Sequence, residues 1–171
     1  MEQQGKQELA ATIADFRLPS YGEIPDVGLF LEQTTKFVAS YLEPLHSIAI
    51  TPSMISNYVK KKLIHNPVKK QYDRNQIAHV FFIAVAKTVL SLEDIQTMIR
   101  LQEQMYSYQA AYEYFCSEFQ NILQYVFGMK DELEPIGQDA TDEKLLLRNT
   151  IFSVAYKIYL DHYFAWMREN A

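Results

Sequence analysis

Cysteine is nearly missing from this sequence: Cys116 is the only one in 171 residues. No disulfide can close within the chain, which fits a reducing compartment, and the single thiol argues against a thiolate-rich metal site within one chain. Glycine is scarce too, and only two of the five glycines lie beyond residue 28. No glycine-rich phosphate loop, paired-histidine zinc motif or nucleophile elbow can be traced. The four histidines, His46, His65, His79 and His162, have no ligand spacing and read as ordinary surface or core residues. No catalytic, metal-binding or cofactor-binding residues are expected, and an enzyme is not expected either. Long hydrophobic runs are also lacking. The most apolar stretch, HVFFIAVAKTVLSL, is broken by Lys87 and is too short for a bilayer core of roughly 30 Å. The opening MEQQGKQELAATIADF is polar and has no apolar signal core. The expectation is a soluble cytoplasmic protein without a membrane partner, built as one compact domain or two small ones.

Positive charge is thin over most of the chain and concentrated in one place. The net charge is −5. Residues 51–79 hold Lys60, Lys61, Lys62, Lys69, Lys70 and Arg74 against the single acid Asp73, a local +5 that leaves −10 on everything else. A basic island in an acidic protein points to a polyanion met at one surface. The plainer reading is a solvated lysine face at a helix end.

What the sequence holds in quantity is apolar residues at helical spacing, so the chain is mainly α. Residues 1–27 read as a lead-in whose end, RLPSYGEIPD, is extended. A first helix covers about 28–43 and stops at Pro44. The next is better marked. Thr51 suits the N-cap, Pro52 the first helical position, and Ile50 and Ile55 the hydrophobic staple. It ends in three lysines, which suit the negative end of the helix dipole. LIHNPVKKQY then reads as a tight turn or small hairpin. Asp73 caps a helix over about 74–90 and SLED caps one from 92 to about 99. From Met98 to Val126 the apolar residues step by three and four, which predicts an unbroken heptad helix. After a loop over 128–140 containing the solvated acidic run DELE, Thr141 caps a terminal helix over 142–170. That helix carries one stripe of Leu147, Ile151, Val154 and Ile158 and another of Phe152, Tyr156, Tyr159, Tyr163 and Trp166. A helix apolar on two sides needs two partners. One partner is expected to be the heptad helix, packed antiparallel.

A capped helix ending in lysines, a short basic connection and a second capped helix form the order of a winged helix-turn-helix. Ser53, Ser56, Asn57 and Lys60 lie within two turns and suit one groove, where short polar side chains read base edges. Lys60 and Lys61 suit phosphates, as do Lys69, Lys70 and Arg74 on the wing. Tyr72 either packs under the wing or offers its hydroxyl to a phosphate.

MISNYVKKKLI, followed by KKQYDRNQIAHVFFI and LSLEDI, resembles the DNA-binding domain of the MerR family of transcriptional regulators. Ile55 and Tyr58 match its recognition helix, Leu63 and Ile64 the exit from that helix, and Tyr72 the wing tyrosine. Lys70 stands at the wing arginine, and Ser91 to Ile95 match the last signature. The resemblance covers about residues 50–99. Ser56 and Asn57 replace an arginine and a tyrosine, and Lys62 replaces the glycine that ends the recognition helix, where a left-handed conformation suits lysine poorly. The whole chain, including LPSYGEIPDVGLFLEQTTKFVASYL, also resembles an uncharacterised bacterial family of unknown function. The resemblance implies a mainly α protein: a lead-in at 1–27, a MerR-like winged helix-turn-helix at 28–99, and a C-terminal helical bundle at 100–171 for dimerisation or sensing.

Two functional classes follow. One is a transcriptional regulator that binds double-stranded promoter DNA as a homodimer. The other is a protein-interaction module that keeps the fold and has lost specific DNA reading. Tyr108, Tyr112, Tyr159, Tyr163 and Trp166 form a candidate pocket for a small-molecule effector, with bundle core as the plainer reading. Cys116, beside Phe115 on a predicted apolar face, reads as a buried inert thiol.

Overall fold

The structure is a computed structural model that describes residues 3–135 and 141–171. Seven α-helices account for most of the described residues: α1 (Gln3–Thr12), α2 (Leu31–Leu42), α3 (Pro52–Lys60), α4 (Arg74–Ala86), α5 (Leu92–Met105), α6 (Tyr108–Val126) and α7 (Asp142–Glu169). The strands are two residues each, β1 (Leu29–Phe30) and β2 (Gln71–Tyr72), paired antiparallel with Leu29 opposite Tyr72.

Short polar caps start most of the helices. The Thr51 hydroxyl accepts the Met54 N–H at 3.2 Å, and the Thr141 hydroxyl accepts the Lys144 N–H at 3.3 Å. Asp73 and Gln76 form a reciprocal box: the Asp73 carboxylate accepts the Gln76 N–H at 2.9 Å, and Gln76 Oε1 accepts the Asp73 N–H at 2.7 Å. Ser91 Oγ accepts the Asp94 N–H at 3.1 Å, but its own hydroxyl donates to the Asp94 carboxylate at 2.7 Å, so that carboxylate meets the cap's side chain.

Helix α4 runs through the centre of the molecule. Ten of its thirteen residues are buried, including Ile77, Val80, Phe81 and Ile83. One apolar core extends from Ile13 to Ile158 without a break between the basic segment and the C-terminal helices.

The expected heptad helix is two helices. Tyr106 is extended (φ −134°, ψ 151°), and the Ser107 hydroxyl accepts the Ala110 N–H at 3.1 Å, starting α6 afresh. The apolar phase survives the break, which is why spacing alone reads straight through it. The seam's C-terminal part is interior: Tyr112, Phe115, Phe119 and Ile122 are buried.

Helices α6 and α7 are parallel, not antiparallel. Lys144 lies over the Tyr114 ring, Arg148 pairs with Glu118, Phe152 meets Tyr125, and Tyr159 meets Phe127, so the two numberings rise together. The described part of the connection, up to Glu134, runs back along α6. Buried Asn121 pins it by donating to the Glu134 carbonyl at 3.1 Å and accepting from Lys130 Nζ at 2.7 Å.

The lead-in is more ordered than expected. Its first part forms α1, which packs on α7 through Trp166 Nε1–H to Glu8 at 2.7 Å and through a 2.8 Å contact of the Thr12 hydroxyl with His162. Its extended part buries Ile13, Phe16, Leu18 and Ile24. The Tyr112 hydroxyl donates to the Pro19 carbonyl at 2.8 Å, so this segment is a strap across the core.

Candidate nucleic-acid interface

Helix α3 is two-sided. Ile55 and Tyr58 are fully buried, while Ser53, Ser56 and Lys60 are exposed and Asn57 is half-buried. These four polar residues line one shallow, open groove together with Pro52 and with Leu31 from the start of α2. Four side chains singled out from spacing alone thus share one surface. Behind them burial pushes the Tyr58 hydroxyl up to about 12, and the Lys87 ammonium lies 5.6 Å from the ring centroid.

The helix ends in a tight reversal. Lys62 takes φ 61°, the Leu63 N–H reaches the Tyr58 carbonyl at 2.9 Å, and the Lys62 N–H reaches the Val59 carbonyl at 2.9 Å. This is the Schellman pattern, which favours glycine at the left-handed position. From α5, Gln96 Nε2 donates to the carbonyls of Lys61 and Lys62, both at 3.2 Å. Lys60, Lys61 and Lys62 are all exposed.

The second cluster sits on a hairpin. Val68 bridges Gln71, whose N–H reaches the Val68 carbonyl at 2.9 Å. Between them Lys69 and Lys70 take φ 50° and 63°. Two successive positive φ values define the type I′ turn, where Asn-Gly is the favoured pair. Both lysines are exposed. The hairpin's returning strand is β2, which docks on β1, and Gly28 makes that docking possible. Gly28 has φ +78°, and a Cβ there would lie 3.1 Å from the Cβ of Gln71.

The two other wing candidates have different roles. Tyr72 is only 4% exposed, and burial raises its hydroxyl pKa, so it packs under the wing instead of reaching outward. Arg74 is half-buried: its Nε donates to the Ile24 carbonyl at 2.9 Å and its guanidinium lies 5.3 Å from the Tyr21 ring centroid. It fastens the strap to α4. The exposed basic surface is therefore made of five lysines, Lys62 among them, and Gln96 and Gly28 complete the site. Only Lys62 carried a signal in the sequence, as the third of three lysines; Gln96 and Gly28 act through contacts distant in the chain.

The candidate effector residues do not come together. Tyr108 and Tyr112 line a cavity of about 300 Å³ between α4, α5, α6 and the start of α7. Tyr159, Tyr163 and Trp166 stack in series further along α7, where Tyr159 meets Phe127 and Trp166 meets α1. Cys116 is half-buried, and burial pushes its thiol up to about 12, which makes it a poor nucleophile. Among the described residues no helix is long and apolar enough to cross a membrane, and no cluster of three or more potential metal ligands is present.

A family model described as a domain of unknown function, DUF1836, matches residues 19–115, from the strap through the basic segment into α6. No curated protein and no solved structure matches the chain.

Proposed function

The chain belongs to the DUF1836 family, a domain of unknown function, and from the surface just described we propose that it binds double-stranded DNA as a transcriptional regulator. In this reading β1, α2, α3, β2 and α4 make a MerR-like winged helix-turn-helix. Helix α3 enters the major groove with Ser53, Ser56 and Asn57 toward base edges. Lys60, Lys61 and Lys62 at its end, and Lys69 and Lys70 on the wing, take phosphates.

One observation carries the reading: the hairpin tip presents two lysines in the left-handed conformation. A non-glycine residue held there costs on the order of 1 kcal/mol, and such strain clusters at functional positions. Asparagine and glycine would close the same turn with less strain. Lysines at both places supply charge at an exposed hairpin tip, which suits a phosphate backbone.

Such proteins usually read DNA as dimers, because one helix covers too few base pairs. The side chains Tyr156, Leu160, Phe164 and Met167, each about half exposed, form an apolar stripe along α7. We assign the homodimer contact to that stripe in place of the heptad seam, whose core is interior. Light scattering at tens of micromolar should give twice the mass of one chain, and Phe164→Asp should halve it without loss of helix content. A wild-type monomer would refute the assignment.

The direct test of DNA binding is affinity for random duplex DNA across a salt series, followed by selection of bound sequences. Log affinity should fall linearly with log salt, by about 0.9 per phosphate neutralised. Absence of binding to any duplex at low salt would refute the regulator and favour a protein-interaction module.

A further inference from the structure

The cavity of about 300 Å³ lies away from the basic surface, between α4, α5, α6 and the first turn of α7. Its size is at the lower end of small-molecule sites. The walls are largely apolar and aromatic, with Phe82, Phe115 and Met98 among them. The tyrosine hydroxyls on it are already engaged where their partners are known: Tyr112 donates to the Pro19 carbonyl, and Tyr108 donates to Glu103 Oε1 at 3.1 Å.

Two other polar groups on the lining lie close to each other, and the Gln102 side chain hydrogen-bonds the His79 ring. Gln102 Nε2 is itself buried and has no hydrogen-bond partner among the described residues. His79 is 8% exposed and its ring packs edge-on against Tyr108 at 5.2 Å. Leaving a buried donor unpaired costs about 1–3 kcal/mol, so native structures rarely keep one without a reason. Here the unpaired donor belongs to the lining of an apolar cavity. Burial lowers the pKa of His79 and favours the neutral ring, while the hydrogen bond with Gln102 works to raise it. Gln102 Nε2 can only donate. A carbonyl oxygen accepts that bond.

We propose that this cavity is a binding site for a small, uncharged aromatic compound bearing a carbonyl oxygen, with the ring among Phe82, Phe115 and Tyr108 and the oxygen accepting from the Gln102 amide, which His79 positions. Charge is disfavoured on both sides. The apolar walls do not solvate an ion, and the two charged residues on the lining, Glu143 and Lys144, are of opposite sign and favour neither an anion nor a cation.

The test uses the full chain and two probes of nearly the same shape, acetophenone and α-methylstyrene, which differ by a carbonyl against a methylidene group. Binding is followed by calorimetry and by amide NMR shifts. Acetophenone should bind, with shifts centred on α4, α5 and the start of α6. Gln102→Leu should weaken acetophenone by about tenfold, the loss of one buried hydrogen bond, and leave α-methylstyrene unchanged or tighter. Gln102→Met, a second variant without the amide, should do the same. Ala111→Phe, at a half-buried position on the lining, should remove both ligands. The proposal is overturned if acetophenone does not bind the folded wild type. It also fails if both Gln102 variants leave the ratio of the two affinities unchanged, or if Ala111→Phe binds as wild type does.

Discussion

Helices α3 and α6 end in the same way with different residues. α6 stops at Gly128 with φ 71°, and the Met129 N–H returns to the Gln124 carbonyl at 2.8 Å. α3 stops at Lys62 with φ 61°, and the Leu63 N–H returns to the Tyr58 carbonyl at 2.9 Å. Glycine takes that conformation freely, whereas lysine there costs about 1 kcal/mol. The contrast extends through both regions. In the C-terminal half the left-handed residue among those described is a glycine, and three of the four non-glycine residues at positive φ are lysines of the basic segment. The basic segment gives up stability at the same positions where it presents charge.

The comparison can be broken most severely at Gly28. Alanine there meets both a left-handed φ and the Gln71 side chain at 3.1 Å. Chemical denaturation of Gly28→Ala should show a loss of about 2 kcal/mol, through undocking of β2 from β1. A loss below about 0.5 kcal/mol would mean that the wing is not held by that strand pair.

Exchanging the two helix ends sharpens the comparison. Lys62→Gly should stabilise by about 1 kcal/mol and Gly128→Lys should destabilise by about the same amount, both read from denaturant midpoints. Two effects of the same sign would contradict a common origin.

The smallest effect is in pH. Burial lowers the pKa of both His79 and His162; His162 Nδ1 also lies 2.8 Å from the Thr12 hydroxyl, and its Nε2–H donates to the Leu45 carbonyl at 3.1 Å. The folded chain therefore holds fewer protons on these rings than the unfolded one. Their contribution to stability is present above the ordinary value of about 6.5 and is lost as pH falls through the lowered folded values. Thermal melts should drop from about pH 7 to pH 5, and His162→Gln should flatten part of that slope. An unchanged slope in the variant would remove His162 from the account.

The parts of the fold that depend on neighbours in sequence were legible. Thr51, Asp73, Ser91 and Thr141 each cap within three residues, and each accepts the N–H expected of it. The four polar residues of α3 share a face because helical period alone decides it. What depended on distant contacts was not legible. Strands of two residues show no alternation, and α1 is fixed by Leu9, Thr12 and Glu8 meeting a core and an α7 that come far later in the chain. Direction misled as well. An antiparallel α6 and α7 would have brought Tyr159 and Tyr163 beside Tyr108 and Tyr112. With the pair parallel, they lie at opposite ends, and His79 and Gln102 join Tyr108 and Tyr112 on the cavity lining.

The trade of stability for charge is tested most directly at the hairpin tip, in one protein carrying Lys69→Asn and Lys70→Gly. Its stability and its affinity for duplex DNA at low salt would be measured side by side. The account predicts a gain of about 2 kcal/mol in stability, about 1 for each relieved residue. It predicts a loss of affinity of about tenfold or more, with a salt slope shallower by about 1.8 for two phosphates released. A more stable protein that binds DNA as before, or a weaker binder with no gain in stability, would contradict it.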